Sequence, residues 1–132
     1  MITEKELVAL AITASQRSYS PYSSFRVGAA LLCADGSVYT GCNIENASFS
    51  PTVCAERTAF FKAISEGKRE FLKIAVVGGR EEVGKQICTP CGVCRQVMTE
   101  FCDPEAFEII LPHGDEIKTV LLKDLLPLSF KG

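Results

Sequence analysis

The sequence predicts an α/β fold in three layers, in which helices cover both faces of a mixed five-stranded sheet. Two β-rich runs flank the pair Asp35-Gly36, a third run from Phe71 to Val77 is apolar on both faces, and helical patterns alternate with the runs. A chain of 132 residues can bury roughly two-thirds of the surface that it exposes when unfolded, which is enough for one core. Because the chain contains no repeat or linker-like segment, we expect one domain over residues 1–132.

The first elements are a helix and a hairpin. Thr3 and Glu6 match a capping box, and apolar residues then recur at helical spacing, which predicts a helix over about residues 3–17. The two β-rich runs cover residues 25–33 and 37–43. An Asp-Gly pair between such runs is the strongest short-range signal of a hairpin, so we expect these strands to pair antiparallel.

The middle of the chain predicts two further helices around a buried strand. The second helix covers residues 54–66 and stops at Gly67. The strand at 71–77 is apolar on both faces, as expected of a strand covered on both sides, and Gly78-Gly79 predicts a turn after it. A third helix is expected over residues 92–101, where apolar residues form one stripe.

Two strands complete the predicted sheet, at residues 107–111 and 117–122. Only the five residues from Pro112 to Glu116 join them. A parallel crossover needs about a dozen residues or more, so the last two strands are expected to form an antiparallel hairpin.

Composition excludes several classes of protein. The chain has 14 Lys and Arg residues against 16 Asp and Glu residues. This balance argues against a protein that binds a nucleic-acid polymer, because such binding depends on basic residues that neutralise phosphates. Its longest apolar stretch is far short of the roughly 20 residues that cross a membrane, and its N-terminus does not resemble a signal peptide. Seven cysteines are an odd number, which argues against a disulfide framework. These features predict a cytoplasmic protein without a membrane partner.

Three cysteines fall at predicted helix starts. Cys54 opens the second helix, and Cys91 and Cys94 open the third. A helix N-terminus carries about half a positive charge, which favours thiolate over thiol. If the two helix starts meet over the ends of adjacent strands, three thiolates point at one place. Zinc prefers such soft ligands, and three protein ligands with one open position is the catalytic arrangement.

Two residues after Cys54 complete the candidate centre. Glu56 is too close to Cys54 along the helix for both to bind one ion comfortably, but it can project into the same cavity and transfer protons between water and a substrate. Taken alone, Glu56 fits an exposed helix carboxylate at a favourable dipole position better than a catalytic group; the Cys-x-Glu context reverses that preference. Three thiolates on Zn²⁺ leave a net negative charge, which the guanidinium of Arg57 would offset unless it is merely a solvated helix charge.

The pattern Cys54-Ala55-Glu56 followed by Pro90-Cys91-x-x-Cys94 resembles the zinc nucleoside and nucleobase deaminases. The resemblance spans nearly the whole chain and is closest to the small homotetrameric cytidine deaminases. It is carried by further stretches, Phe25-x-Val27-Gly28-Ala29-Ala30-Leu31, Gly41-Cys42-Asn43-Ile44-Glu45-Asn46-Ala47-Ser48, Arg57-Thr58-Ala59, Arg95-Gln96 and Leu125-Leu126-Pro127.

The resemblance implies one Zn²⁺ per subunit, held by Cys54, Cys91 and Cys94, with Glu56 as the proton shuttle. It also implies a set of substrate-binding residues: Phe25 against the pyrimidine, Asn43 and Glu45 on the ribose hydroxyls, the backbone of Ala55 and Thr89 at the polar edge of the base, and Phe130 at a neighbouring subunit's site. Phe49 departs from the family, in which many members have Tyr, and therefore lacks a hydroxyl.

The implied activity is the hydrolytic deamination of cytidine and 2′-deoxycytidine to uridine and 2′-deoxyuridine, with release of ammonia, in pyrimidine salvage. The implied assembly is a homotetramer that shares its sites between subunits, and the wide apolar arc of the second helix, which includes Phe60-Phe61, agrees with it. Two alternatives remain open: a deaminase of an aminoglycosyl-cytosine antibiotic, which Asn43-x-Glu45 disfavours, and a structural zinc module in which Cys88 or Cys42 supplies a fourth ligand.

Overall fold

The computed structural model describes all 132 residues. Its helices and strands follow one another as α1 (Glu4–Ser15), β1 (Arg26–Cys33), β2 (Val38–Cys42), α2 (Ala55–Ser65), β3 (Phe71–Gly79), α3 (Gly92–Phe101), β4 (Glu108–His113), β5 (Glu116–Leu121) and α4 (Leu122–Leu125). None of these helices has the length and apolar character that a membrane span requires.

The five strands form one mixed sheet in the order β2-β1-β3-β4-β5. Strand β1 pairs antiparallel with both β2 and β3, β3 pairs parallel with β4, and β4 pairs antiparallel with β5. Gly36 turns the first hairpin with a φ of 91°, a left-handed conformation that glycine adopts at little cost. The predicted α/β class, the mixed five-stranded sheet and both antiparallel hairpins are confirmed.

Helices cover both faces of the sheet, and the alternation of side chains along β1 shows how. Ala30 and Leu32 face α1, where they pack with Leu7 and Ala11. Ala29 and Leu31 face the opposite side and join the larger cluster that contains residues of α2 and α3, as period-two alternation of a strand buried on both faces requires. The predicted capping box at Thr3 starts α1.

Gly41 in β2 allows α2 to approach the sheet closely. A Cβ atom on this glycine would lie 2.4 Å from the carbonyl oxygen of Ala55 and 2.7 Å from the amide nitrogen of Ala59. The first turn of α2 therefore contacts the strand backbone directly. This contact sets the position of the helix start at Cys54, which belongs to the candidate site.

The sequence-based prediction of a turn at Gly78-Gly79 is wrong. Both glycines continue β3, where Gly78 pairs with Val27 and Gly79 with Arg26. A Cβ atom on Gly78 would lie 2.6 Å from Sγ of Cys88 and 2.8 Å from the ring of Phe25. Close approach of neighbouring side chains, and not chain reversal, accounts for glycine at position 78.

The end of the chain differs from the prediction in two details. The sequence predicted a five-residue connection between the last two strands, from Pro112 to Glu116. In the structure β4 ends later and β5 begins earlier than predicted, and only Gly114 and Asp115 connect them. Helix α4 was not predicted, since four residues are too few to show a helical period. Its last residue, Leu125, is linked to α3, because Nη1 of Arg95 in that helix donates to the Leu125 carbonyl at 2.6 Å.

Candidate active site

The starts of α2 and α3 bring three cysteines together. Cys54 is the N-cap of α2 and Cys91 is the N-cap of α3, both with extended backbone. Cys94 follows one turn into α3, where its backbone N–H donates to Sγ of Cys91 at 3.5 Å. The sulfur atoms of Cys54 and Cys91 are 3.5 Å apart, and all three sulfurs lie within 4.8 Å of one another.

This group fits a tetrahedral zinc ion. Zn–S bonds of about 2.3 Å in tetrahedral geometry place two sulfur ligands about 3.8 Å apart. The separations of 3.5 Å to at most 4.8 Å bracket that value. The cluster of candidate ligands stops at three, so one corner of the tetrahedron is left to a non-protein ligand, as catalytic zinc sites require.

The electrostatics of this cluster favour a thiolate at Cys54. A hydrogen bond from Cys94 is the largest influence that lowers the pKa of Cys54 to about 5, and the guanidinium of Arg57 adds to it. Nη2 of Arg57 lies 3.4 Å from Sγ of Cys54. Burial opposes the charge of Arg57, yet its hydrogen bonds to Cys54 and Cys94 leave its pKa raised. Arg57 therefore lies beside the thiolates and is not a solvated helix charge.

Glu56 is buried beside the same cluster, with 3% of its surface exposed. Burial raises the pKa of its carboxyl group to about 7, and the nearby Cys54 thiolate adds to the rise. The Oε1 atom has no hydrogen-bond partner within the chain. A buried carboxyl group of this kind is costly unless a ligand engages it, so the site is built for a polar species that the chain does not supply.

A cavity of about 370 Å³ opens beside the sulfur cluster and is lined by two of its cysteines, Cys54 and Cys91. It brings together most of the residues predicted to bind a substrate, and its lining consists of Ser23, Phe25, Val27, Asn43, Glu45, Thr52, Val53, Cys54, Glu56, Cys88, Thr89 and Cys91. The lining includes the thiols of Cys54 and Cys91 together with Glu56, and Asn43 with Glu45 supply further polar groups. None of the lining side chains is basic.

The amide of Asn43 is largely occupied by the chain itself. Its Oδ1 accepts hydrogen bonds from the Val27 amide, at 2.9 Å, and from the Ser18 hydroxyl, while Nδ2 donates to the carbonyl of Phe25 at 2.9 Å. A carboxamide offers two acceptor sites and two donor hydrogens. One N–H of Asn43 therefore remains for a ligand.

The carboxylate of Glu45 is similarly occupied. Its Oε1 accepts from the backbone N–H groups of Tyr22 and Ser23 at 3.0 and 3.2 Å, and its Oε2 accepts from the Ser23 hydroxyl. The Ser23 hydroxyl contributes most to holding the pKa of Glu45 below its usual value. A carboxylate offers about four acceptor sites, so about one is left for a ligand, on Oε2.

Four predicted residues lie outside the cavity lining, and one of them, Cys94, is buried within the sulfur cluster. Ala55 is fully buried as the first residue of α2, directly after Cys54. Arg57 contacts the sulfur cluster through Sγ of Cys54. Phe130 is 75% exposed near the C-terminus, where its carbonyl accepts from Nε2 of Gln96 at 2.8 Å. In one chain, Phe130 is therefore not part of the pocket.

Sequence reasoning missed several lining residues, chiefly Ser23, Thr52 and Cys88. Ser23 and Thr52 lie in irregular segments, where no period predicts the direction of a side chain. Cys88 was considered only as a metal ligand, but it is absent from the sulfur cluster, and burial raises its pKa to about 11. Its sulfur packs against Gly78 instead.

Comparison with known proteins agrees with this geometry. A family model described as the cytidine and deoxycytidylate deaminase zinc-binding region matches residues 1–108. The cytidine deaminase of Halalkalibacterium halodurans is 48% identical over 94% of this chain and 91% of that protein. The cytidine deaminase of Sporosarcina psychrophila is 46% identical over 96% of this chain and 90% of that protein. The crystal structure of cytidine deaminase from Burkholderia pseudomallei has a TM-score of 0.88 and 44% identity, covering 98% of this chain and 100% of that chain.

Proposed function

This chain belongs to the cytidine and deoxycytidylate deaminase family, and from that premise we propose that it hydrolyses cytidine and 2′-deoxycytidine to uridine, or 2′-deoxyuridine, and ammonia. The observation that carries the proposal is the buried Glu56, whose unpartnered oxygen lies beside three clustered thiols in a cavity that also contains Asn43 and Glu45.

The cofactor is one Zn²⁺ ion, which Cys54, Cys91 and Cys94 would hold. When bound, zinc supplies a Lewis acid that lowers the pKa of water toward neutrality. Arg57 lies against Cys54, is not part of the cavity lining, and would offset the negative charge that three thiolates leave after they neutralise a divalent ion.

Glu56 is the proton carrier of the reaction. A carboxyl group with a pKa of about 7 can both accept and donate a proton at neutral pH. In this role Glu56 takes a proton from the attacking water and delivers it to N3 of the cytosine ring. After the water oxygen has bonded to C4, Glu56 takes the remaining proton from that oxygen and passes it to the amino group. The C4–N bond then breaks, so that ammonia leaves as the C4 carbonyl of uridine forms.

The polar groups of Asn43 and Glu45 support a nucleoside substrate with either sugar. After their internal hydrogen bonds, these residues together offer about one N–H donor and one carboxylate acceptor. A single sugar hydroxyl satisfies both, because it donates to Glu45 and accepts from Asn43. One hydroxyl of this kind is available in both ribose and 2′-deoxyribose.

The charge of the cavity favours a nucleoside over a nucleotide. The lining includes the carboxylates of Glu45 and Glu56 but no Lys, Arg or His. A 5′-phosphate would find no cation there and would meet like charge. The aminoglycosyl-cytosine alternative would require Glu45 to bind a group other than a ribose hydroxyl.

Metal analysis with an ultraviolet assay on cytidine, 2′-deoxycytidine and 2′-deoxycytidylate tests the proposal. We expect one zinc per chain and turnover of both nucleosides, with the nucleotide slower by at least about tenfold, which corresponds to about 1.4 kcal/mol. Glu56→Gln keeps the shape of the side chain and should retain zinc while losing at least about a hundredfold in kcat. Undiminished turnover by zinc-loaded Glu56→Gln would overturn the mechanism, whereas a zinc-loaded wild-type chain without any turnover would favour the structural zinc module.

We further propose a homotetramer in which Phe130 reaches the site of a neighbouring subunit. The exposure of several large apolar side chains supports this assembly, namely Phe49, Phe61, Leu128 and Phe130. Light scattering at micromolar concentration should give four times the chain mass, and a fully active monomer would contradict the proposal. Phe130→Ala should raise the KM for the nucleoside and should change the free energy of unfolding little.

We assign the reaction to pyrimidine salvage in the cytoplasm. All seven cysteines are free thiols in the structure, and a reducing compartment keeps zinc-binding thiols available. Fractionation of the cells that produce the protein would test the compartment, and recovery of the activity with exported proteins would contradict it.

A further inference from the structure

The hydroxyl group of Ser23 links two parts of the cavity, one expected to contact the pyrimidine and the other expected to contact the sugar. The Oγ atom of Ser23 accepts a hydrogen bond from the backbone N–H of Phe25 at 3.0 Å. The same hydroxyl donates to Oε2 of Glu45, and the Ser23 backbone N–H donates to Oε1 of Glu45. Ser23 thus contacts both the residue expected beside the pyrimidine and the residue expected at the sugar.

The backbone of this loop is strained in a way that serves these contacts. Ser24, between Ser23 and Phe25, has a φ of 59°, in the left-handed region that residues with a side chain adopt at a cost. That conformation folds the loop so that the Phe25 amide can reach back to the Ser23 hydroxyl. Strained residues persist where surrounding contacts hold them, and such places cluster at binding sites.

Glu45 depends on this loop for its orientation. Every hydrogen bond that its carboxylate receives within the chain comes from Tyr22 or Ser23. The Ser23 hydroxyl is the only one of these donors that binds Oε2, the oxygen left with free capacity. Loss of that hydroxyl frees Oε2 to rotate away from the direction in which a ligand would meet it.

We propose that Ser23 is a positioning residue for nucleoside binding, because its hydroxyl holds the sugar-binding carboxylate of Glu45 at a fixed place relative to Phe25. The inference deepens the proposed function and rests on it. Ser23 itself takes no part in the reaction. Its main effect falls on the sugar, since the zinc ligands and Glu56 make no hydrogen bond to it and its contact with Phe25 is to the backbone N–H and not to the ring.

The test compares Ser23→Ala with the wild-type zinc enzyme on cytidine and on 2′,3′-dideoxycytidine, which lacks both ring hydroxyls. We expect kcat/KM for cytidine to fall about tenfold, mainly through KM, as loss of a hydrogen bond to a charged group predicts. The value for the dideoxy analogue should change less than about twofold. In calorimetry, the same variant should bind uridine about tenfold more weakly and 2′,3′-dideoxyuridine unchanged. A general structural defect would instead lower kcat/KM for cytidine and for the dideoxy analogue by the same factor.

Two further variants complete the experiment. Ser24→Ala removes the neighbouring hydroxyl, which takes no part in the contacts of Ser23 with Glu45 and Phe25, and should keep the wild-type ratio of kcat/KM between the two substrates. Ser23→Thr restores a hydroxyl and should recover most of the loss. If Ser23→Ala fails to fold, Ser23→Cys replaces the strong donor by a weak one and serves in its place.

The outcomes separate the two proposals. A wild-type zinc enzyme that does not deaminate cytidine would refute the proposed function. An active wild-type enzyme whose substrate ratio is unchanged in Ser23→Ala would leave the function standing and overturn the role of Ser23.

Discussion

Nη2 of Arg57 lies 3.4 Å from Sγ of Cys54, so the guanidinium contacts a proposed zinc ligand from within the same helix. The side chain starts in the first turn of α2, one turn from the cysteine that caps the helix. Its Nε atom is buried and has no hydrogen-bond partner in the chain. This arrangement places a permanent positive charge beside the thiolates without exposing it to the substrate.

Arg57→Ala should lower activity most at acidic pH. Without the cation, negative charge accumulates at the centre and deprotonation of the attacking water becomes less favourable, so the acidic limb of the kcat/KM profile should move to higher pH. The measurement is a pH–rate profile on cytidine at full zinc occupancy. Arg57→Lys keeps the charge and should shift the limb less; a limb unmoved in Arg57→Ala would contradict the electrostatic role.

Gly41→Ala should destabilise the fold and reduce zinc content. The added Cβ would lie 2.4 Å from the Ala55 carbonyl oxygen, so α2 must move away from β2 and carry Cys54 with it. Overpacking of this kind costs about 1–3 kcal/mol of the free energy of unfolding. Chemical denaturation and metal analysis measure the two effects.

Gly92→Ala is the matched control for that change. Gly92 lies between two zinc ligands, yet a Cβ there would meet nothing within 4 Å. Because alanine favours a helix over glycine, this variant should be unchanged or more stable by up to about 1 kcal/mol, with full zinc. Equal losses in both variants would show that the close packing at Gly41 is not the cause.

Asn43→Ala should lose stability as well as substrate affinity. The substitution removes the hydrogen bonds that the Asn43 side chain makes with the Val27 amide and the Phe25 carbonyl, two backbone groups at the start of β1. Leaving such groups without partners costs about 1–3 kcal/mol. We expect a lower urea midpoint and a higher KM for cytidine together. Asn46→Ala, at an exposed position of the next loop, should change neither by a comparable amount, and an unchanged midpoint in Asn43→Ala would refute the double role.

Zinc removal should change the alkylation of one cysteine selectively. Cys91 is exposed in the structure, whereas Cys94 and Cys33 are buried. In the native zinc enzyme, we expect Cys91 to resist iodoacetamide because its sulfur binds the ion. After chelation, Cys91 should react first, with Cys33 still protected as an internal control. Peptide mass spectrometry reads the positions, and reactivity of Cys91 that is the same with and without zinc would argue against its role as a ligand.

The local elements were predictable because short-range chemistry determines them. Thr3 and Glu6 cap α1, and Asp35-Gly36 turns the first hairpin, as their residue types indicated. The turn predicted at Gly78-Gly79 was wrong because a glycine pair also occurs where side chains approach a strand closely. Sequence alone does not distinguish these two uses of glycine, since the atoms that approach are distant in the chain.

The candidate site was only partly predictable. Cys54, Cys91 and Cys94 could be grouped from their places at helix starts, because helix ends favour thiolates and two such ends meet readily over a sheet. Ser23 carried no comparable signal: its contact with Glu45 spans 22 residues and depends on the left-handed backbone of Ser24.

The residue pattern by itself therefore determined the fold class, the group of three thiols proposed to bind zinc and the family, since periodicity, capping and motif spacing act over a few residues at a time. Tertiary structure decided how deeply Glu56 is buried, how far Arg57 lies from sulfur and how much hydrogen-bonding capacity Asn43 and Glu45 retain for a ligand. Those quantities depend on atoms that only the packing of α2, α3 and the α1–β1 loop against the sheet brings together.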